Sequence, residues 1–258
     1  MKWDCYWKGK KMDCHNYIEC KHISKIYSEK NGKVEGIKDA TFTLKRGETV
    51  GLIGANGAGK STLIKLLIGI MRPDCGEIYI EGNKSSYFKR KSPYLDLGYS
   101  PETFYFVSKL TGWEYIEFLS AVYKKGIREN GGISLIDITK RLKLYDDLGK
   151  LLTKYSQGML RKLSICIAIY FGKKLVVLDE PTNGLDPDSY MALRDILNDI
   201  KGGDRTILIS THQMAFVDEV CSRLMICKQG ELICPSKGNL SAEQIYTQII
   251  SEGRDSYI

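Results

Sequence analysis

The sequence holds no apolar run close to the roughly 18 residues that a membrane-spanning helix needs. Its opening stretch, MKWDCYWKGKKMDCHNY, has no continuous apolar segment of the kind a secretory leader requires. It shows no internal repeat and no low-complexity segment. These absences argue against a helical channel, a repeat array and a disordered linker. The expected setting is cytosolic, where the eight cysteines are thiols rather than disulfides.

What is present is ordinary globular material. The chain has 258 residues, 43% apolar and 27% charged, enough for one large domain or two small ones. The net charge of +7 suits a phosphate ligand, a nucleic acid or an anionic membrane surface, and equally a solvated basic face. Its main clusters, Lys2, Lys8, Lys10 and Lys11 and then Lys89-Arg90-Lys91, do not reach the length of a basic tail.

Periodicity divides the chain. Residues 1–16 are polar with scattered aromatics and no period. YIECKHISKIY (17–27) alternates as a half-buried strand does, and KNGK (30–33) is a turn signal. Residues 36–54 predict an alternating strand, a turn at Lys45-Arg46-Gly47, and a short apolar strand over Thr49–Ile53. A helix over Ser61–Ile70 follows, with Leu63, Leu66, Leu67 and Ile70 on one face, then a strand in EIYIEG. From about 103 to 170 three helical segments occur without alternating strands. After them strands and helices alternate, which argues for a parallel sheet. The expected fold is therefore α/β, with an α-helical subdomain inserted at about 103–170.

The most specific motif is Gly54-Ala55-Asn56-Gly57-Ala58-Gly59-Lys60-Ser61, which fits G-x-x-x-x-G-K-[ST] between a predicted strand and a predicted helix. Its glycines let the backbone wrap closely and aim N–H groups at phosphate oxygens, and the helix N-terminus adds positive potential. In that setting Lys60 reaches the β- and γ-phosphates and Ser61 offers its hydroxyl to Mg²⁺. A second signal is the apolar run Leu175–Leu178 ending in Asp179-Glu180. Such a buried parallel strand aims its carboxyl end at a ligand crevice. There Asp179 would hold Mg²⁺ through water, and Glu180 could polarise an attacking water as general base. Together the two motifs point to nucleoside triphosphate hydrolysis.

Two further constellations remain open. In YSQGM, Ser156 can cap the helix that runs on through Ile169, and the positive helix end with Gly158 can also hold a phosphate. Cys14, His15, Cys20 and His22 invite a zinc reading, but C-H-x₄-C-x-H is not a finger spacing. Cys20 and His22 are expected on one face of a strand. Cys166, Cys221 and Cys227 sit in apolar patterns and are expected to be core thiols.

From about residue 18 to 234 the ordered motifs resemble the ATP-binding cassette (ABC) ATPases, the nucleotide-binding subunits of ABC transporters. GANGAGKST resembles the Walker A motif and LVVLDE the Walker B motif. PTNGLDP carries a D-loop with Asp186, ISTHQ a switch histidine at His212, and YSQGM stands at the signature position, usually LSGGQ. Tyr27 stands where the family places an adenine-stacking aromatic, although a strand-core tyrosine would look the same. Two positions depart from the pattern. Glu102 in LGYSPETF replaces the usual Gln of the Q-loop, and Gln157 and Met159 alter the signature.

The resemblance implies a P-loop NTPase core with a parallel sheet and an N-terminal antiparallel β subdomain. It implies an N-terminal extension (1–16), an ATPase domain (17–238) and a C-terminal tail (239–258). ATP and Mg²⁺ are the implied cofactors. ATP would lie on Tyr27 and residues 54–62, from Gly54 to Thr62, with Ser61, Glu102 and Asp179 toward the metal and Glu180 and His212 catalytic. Ser156, Gln157 and Gly158 would face the ATP of an opposite subunit in a homodimer or heterodimer. The partner would be a membrane permease on a separate chain, so the protein would be cytoplasmic and peripheral on the inner face of the membrane. The Pro101-Glu102 form is similar to that of members serving drug, antibiotic and bacteriocin exporters. The alternative is a non-transport ABC-type ATPase acting on nucleic acid or ribosomes. Such relatives usually carry a long coiled coil or two cassettes, and no nucleic acid is expected here. A GTPase would show the N-K-x-D guanine-reading motif, which is absent.

Overall fold

A computed structural model describes residues 5–7, 10–12, 16–29, 32–85, 96–123, 133–236, 238 and 240–252. The chain forms two compact units, Met1–Tyr94 with His212–Ile258, and Leu95–Thr211. The first begins with the antiparallel pair β1 (Cys5–Trp7) and β2 (Lys10–Met12). Next come β3 (Asn16–Glu29), β4 (Gly32–Lys45), β5 (Thr49–Ile53), α1 (Lys60–Leu67), β6 (Cys75–Ile80) and β7 (Asn83–Lys84). Four of these strands form an antiparallel sheet in the order β4-β3-β6-β7. Tyr17, Ile18, Cys20 and Ile23 are buried on β3.

Two expectations change here. Cys20 and His22 do not share a face: Cys20 is fully buried, while His22 is exposed with φ +52 and its Nδ1 lies 2.8 Å from Asp39 Oδ1. The β3–β4 register shifts between Cys20 and Ile23, and such a bulge turns the following side chain over. Cys14 and His15 lie outside the described residues, as do Lys2, Lys8 and Lys89-Arg90-Lys91. Among the described residues no group of three or more His, Cys, Asp and Glu could hold a metal ion. The second change is at α1. It buries Leu63, Ile64, Leu66 and Leu67, then stops, because Gly69 takes φ +78 and leaves Ile70 68% exposed.

The second unit contains β8 (Leu97–Ser100), α2 (Gly112–Tyr123), α3 (Leu135–Arg141), α4 (Gln157–Phe171), β9 (Leu175–Asp179), α5 (Pro187–Ile200) and β10 (Thr206–Ser210). β9 is buried at all five positions and pairs in parallel with β8 on one side and β10 on the other. Each helix start has a chemical cause. Thr111 and Glu114 form a reciprocal capping box at α2, Ser134 accepts from the Asp137 N–H at α3, and Asp186 caps α5 ahead of Pro187. α4 is buried at every position from Leu160 to Phe171. At roughly 1.5–3 kcal/mol per large apolar side chain, it is the main apolar contributor among these helices. The four-residue β8 was not legible in the sequence, because so short a run carries no period.

The chain then returns to the first unit with α6 (Met214–Val220), β11 (Arg223–Lys228), β12 (Glu231–Ile233) and α7 (Ala242–Glu252). β11 runs parallel to β5, and β12 folds back antiparallel on β11. α7 buries Ala242, Ile245 and Ile249, and the Asp218 carboxylate of α6 accepts the Ala242 N–H. Among the described residues no helix is long and apolar enough to cross a membrane.

Candidate functional site

In the first unit the loop after β5 is built almost entirely from backbone. Gly57 (φ +78) and Gly59 (φ +113) hold conformations that L side chains rarely adopt, the kind of torsion from which anion-binding turns of successive N–H groups are made. A Cβ on Gly59 would lie 2.3 Å from the Gly36 carbonyl oxygen, and one on Gly54 would lie 2.3 Å from that of Cys227. The buried Lys60 Nζ donates to the carbonyls of Gly54 (2.7 Å) and Ala55 (3.2 Å), taking two of its three donors and placing a cation at the loop's centre. Gly59 caps α1 without a side-chain bond and no acid sits in the first turn, so the helix start carries positive potential. Ser61 is exposed on that turn, and Ala55, Asn56 and Gly57 are exposed before it.

The loop is anchored from beneath. The Ala58 carbonyl accepts both the Gly230 N–H and the Cys227 thiol, each at 2.8 Å. Burial pushes the Cys227 pKa up to about 11, so it stays a donor. Tyr27 stands beside the loop. Its ring edge leans on Gly36, and its hydroxyl lies 3.2 Å from the Thr62 hydroxyl. His212 is exposed, two residues past the end of β10.

In the second unit Asp179 closes β9 and Glu180 follows it, both buried. The Asp179 carboxylate accepts the Ser210 hydroxyl. Glu180 has φ +50, a strained backbone for a side-chain-bearing residue. Its N–H donates to the Ser210 carbonyl at 2.9 Å, and this bond holds the turn. Glu102, just past β8, is exposed. Its carbonyl and that of Pro101 accept from the Arg161 guanidinium, which also reaches the Asp179 carbonyl at 3.3 Å. Arg161 is 8% exposed. Burial lowers its pKa, while Asp179, Glu102 and Glu180 push the other way.

Ser156 is the N-cap of α4, its side chain accepting from the Met159 N–H at 3.2 Å. Ser156 and Gln157 are exposed, and no acid lies in the first turn. Gly158 abuts the Gly184 carbonyl, where an added Cβ would come within 2.9 Å. Asp186 caps α5, accepts the Ser189 N–H and hydroxyl, and pairs with Lys162 Nζ at 2.8 Å. Lys162 first, then Ser189, holds its carboxyl well below the usual range.

The first unit thus brings Tyr27 to residues 54–62. The second brings Ser156–Gly158 to Gly184, and the Glu102 backbone to Asp179. Sequence reasoning missed Arg161, Lys162, Ser210 and the anchoring role of Cys227. A signal existed for the first two: Arg161-Lys162 interrupts an apolar helix, and charges there are buried only with partners.

A family model described as ABC transporter matches residues 37–183, more than half of the chain. The chain belongs to the ABC transporter family. This family member is 35% identical over 224 residues to an uncharacterised ABC transporter ATP-binding protein of Synechocystis sp., covering 85% of its own length and 62% of the relative's. It is 34% identical over 202 residues to a fluoroquinolones export ATP-binding protein of Mycobacterium tuberculosis, covering 76% and 64%. The match thus spans less than two thirds of either relative. Among solved structures, the ATP-binding subunit of an ABC transporter superposes with a TM-score of 0.76 at 29% identity, over 91% of this chain and all of that one. The fold is that of a P-loop NTPase of the ABC type.

Proposed function

We propose that this ABC family chain binds ATP with Mg²⁺ and hydrolyses it to drive a membrane permease carried on another polypeptide. The observation that carries the reading is the loop at 54–61, with Lys60 buried among its own carbonyls and the α1 N-terminus kept free of acids. An array of backbone N–H groups with a central ammonium fits the β- and γ-phosphates. Tyr27 offers a ring beside the loop for the adenine.

The donors proposed for the metal are a hydroxyl (Ser61) and two carboxylates (Asp179, Glu102), all hard oxygens of the kind Mg²⁺ takes. Bound Mg²⁺ would neutralise phosphate charge. Glu180 would take the proton of the attacking water, and His212 would hold the γ-phosphate and that water. Ser156, Gln157 and Gly158 would bind the γ-phosphate on an opposite subunit, with Asp186 positioning the adjoining turn, in a homodimer or heterodimer. The protein would lie on the cytoplasmic face of the membrane through its permease. Likeness to the fluoroquinolones export protein supports export over import.

The test is Mg²⁺-dependent ATPase activity of the purified chain, with capture of a membrane protein from detergent extract. Lys60→Ala is expected to lower kcat/KM by at least about 100-fold, since it removes the cation at the developing charge. Wild-type turnover in that variant would remove the loop from the mechanism. Retention on ribosomes or DNA instead of on a membrane protein would redirect the function.

A further inference from the structure

β8 and β9 pair in parallel as far as Ser100 and Leu178, and there the ladder ends. Beyond it the Pro101, Glu102 and Asp179 carbonyls all accept from one buried guanidinium, that of Arg161. The side chain therefore takes the place of ladder rungs across the carboxyl ends of two strands. It belongs to a row along α4. Three residues on, the Ser164 hydroxyl meets the Ser100 hydroxyl at 2.8 Å, buried. Four further on, the Ala168 carbonyl lies where a Cβ on Gly98 would come within 1.8 Å of it. Residues 161, 164 and 168 share one helical face, and they meet 101–102, 100 and 98 in turn. α4 lies antiparallel along β8 and past its end, with the capped start at Ser156 about one turn ahead of Arg161.

We propose that Arg161 is a positioning residue for hydrolysis. It clasps the ends of β8 and β9, and so fixes the Glu102 loop and the Asp179-Glu180 turn to the helix that Ser156 starts. The proposal rests on the hydrolysis reading above. A guanidinium is suited to the task because its planar fork serves three carbonyls at once and stays charged when buried. It also counters the charge of the nearby Asp179, Glu102 and Glu180 carboxylates. A lysine could reach fewer carbonyls, and methionine none.

The experiment uses the full chain with Arg161→Lys and Arg161→Met. It reads ATP turnover and amide hydrogen exchange of residues 101–106 and 156–160. Methionine is expected to lower kcat by about 10- to 100-fold with KM for ATP within about threefold, because geometry is lost while the loop at 54–61 is untouched. Exchange should rise together in both segments, and lysine should restore part of each effect. Unchanged exchange in both segments overturns the clasp. Raised exchange with unaltered kcat overturns its role in positioning. A general rise through β9 and α4, a lower Tm and no rescue by lysine overturn it in favour of bulk stability. A wild-type chain that hydrolyses no ATP removes the hydrolysis reading and the positioning role with it, while the exchange data still judge the clasp alone.

Discussion

The loop at 54–61 in the first unit and the 156–186 region in the second are both proposed anion sites, and they are built from opposite materials. The loop is backbone. Its conformation rests on glycine torsions, and its single decisive side chain, Lys60, bonds to carbonyls five and six residues away. The 156–186 region is a side-chain network. Lys162 reaches 24 residues to Asp186, and Arg161 reaches about 60 residues back to Pro101 and Glu102. A site made of local backbone tolerates little change at its glycines. A site made of long-range pairs should weaken in smaller steps as single pairs are removed.

The largest effect expected is at Gly59. Valine there would need a left-handed backbone and would place Cβ against the Gly36 carbonyl, at a cost of roughly 2–4 kcal/mol. Gly59→Val should lose ATP binding, read by nucleotide fluorescence; normal affinity would show that the loop is not as rigid as its torsions imply. Next is Glu180→Gln. It keeps volume and removes the proposed base, so kcat should fall by about 10²- to 10⁴-fold while ATP stays bound and a dimer accumulates. Unaltered turnover would remove Glu180 as the base.

The smallest effect is at the Lys162–Asp186 pair, whose carboxylate is half exposed. Asp186 titrates below its unfolded value of about 3.9. Its contribution is therefore full above about pH 4 and is lost as pH falls through the lowered folded pKa. Asp186→Asn should flatten the acid limb of Tm against pH and leave Tm at neutral pH little lower. An acid limb identical to that of the wild type would show that the pair is not formed in solution.

Much of the fold was legible in local pattern: the strand at 17–27, the apolar strands at 49–53 and 175–179, and helical segments matching α2, α3 and α4. The misses have physical causes. β8 is too short for a period to register. A bulge in β3 separated Cys20 from His22, and bulges leave no mark in alternation. α1 ended early because Gly69 took a left-handed turn, which left Ile70 outside the apolar face.

At YSQGM the sequence indicated a cap, and Ser156 does accept the Met159 N–H. Nothing in those five residues indicated that Gly158 lies against the Gly184 carbonyl, or that the charges three and four residues on are buried.

By itself, then, the sequence determined what depends on near neighbours: the loop torsions at 54–60, the helix caps and the apolar strands. Steric limits and hydrogen bonds over a few residues are written in residue type and spacing. Only the tertiary structure decided which distant carbonyls Arg161 clasps, that Cys227 and Gly230 share the Ala58 carbonyl, and that Lys162 holds Asp186. Those bonds join residues 24 to 172 positions apart, and only packing brings such residues within reach.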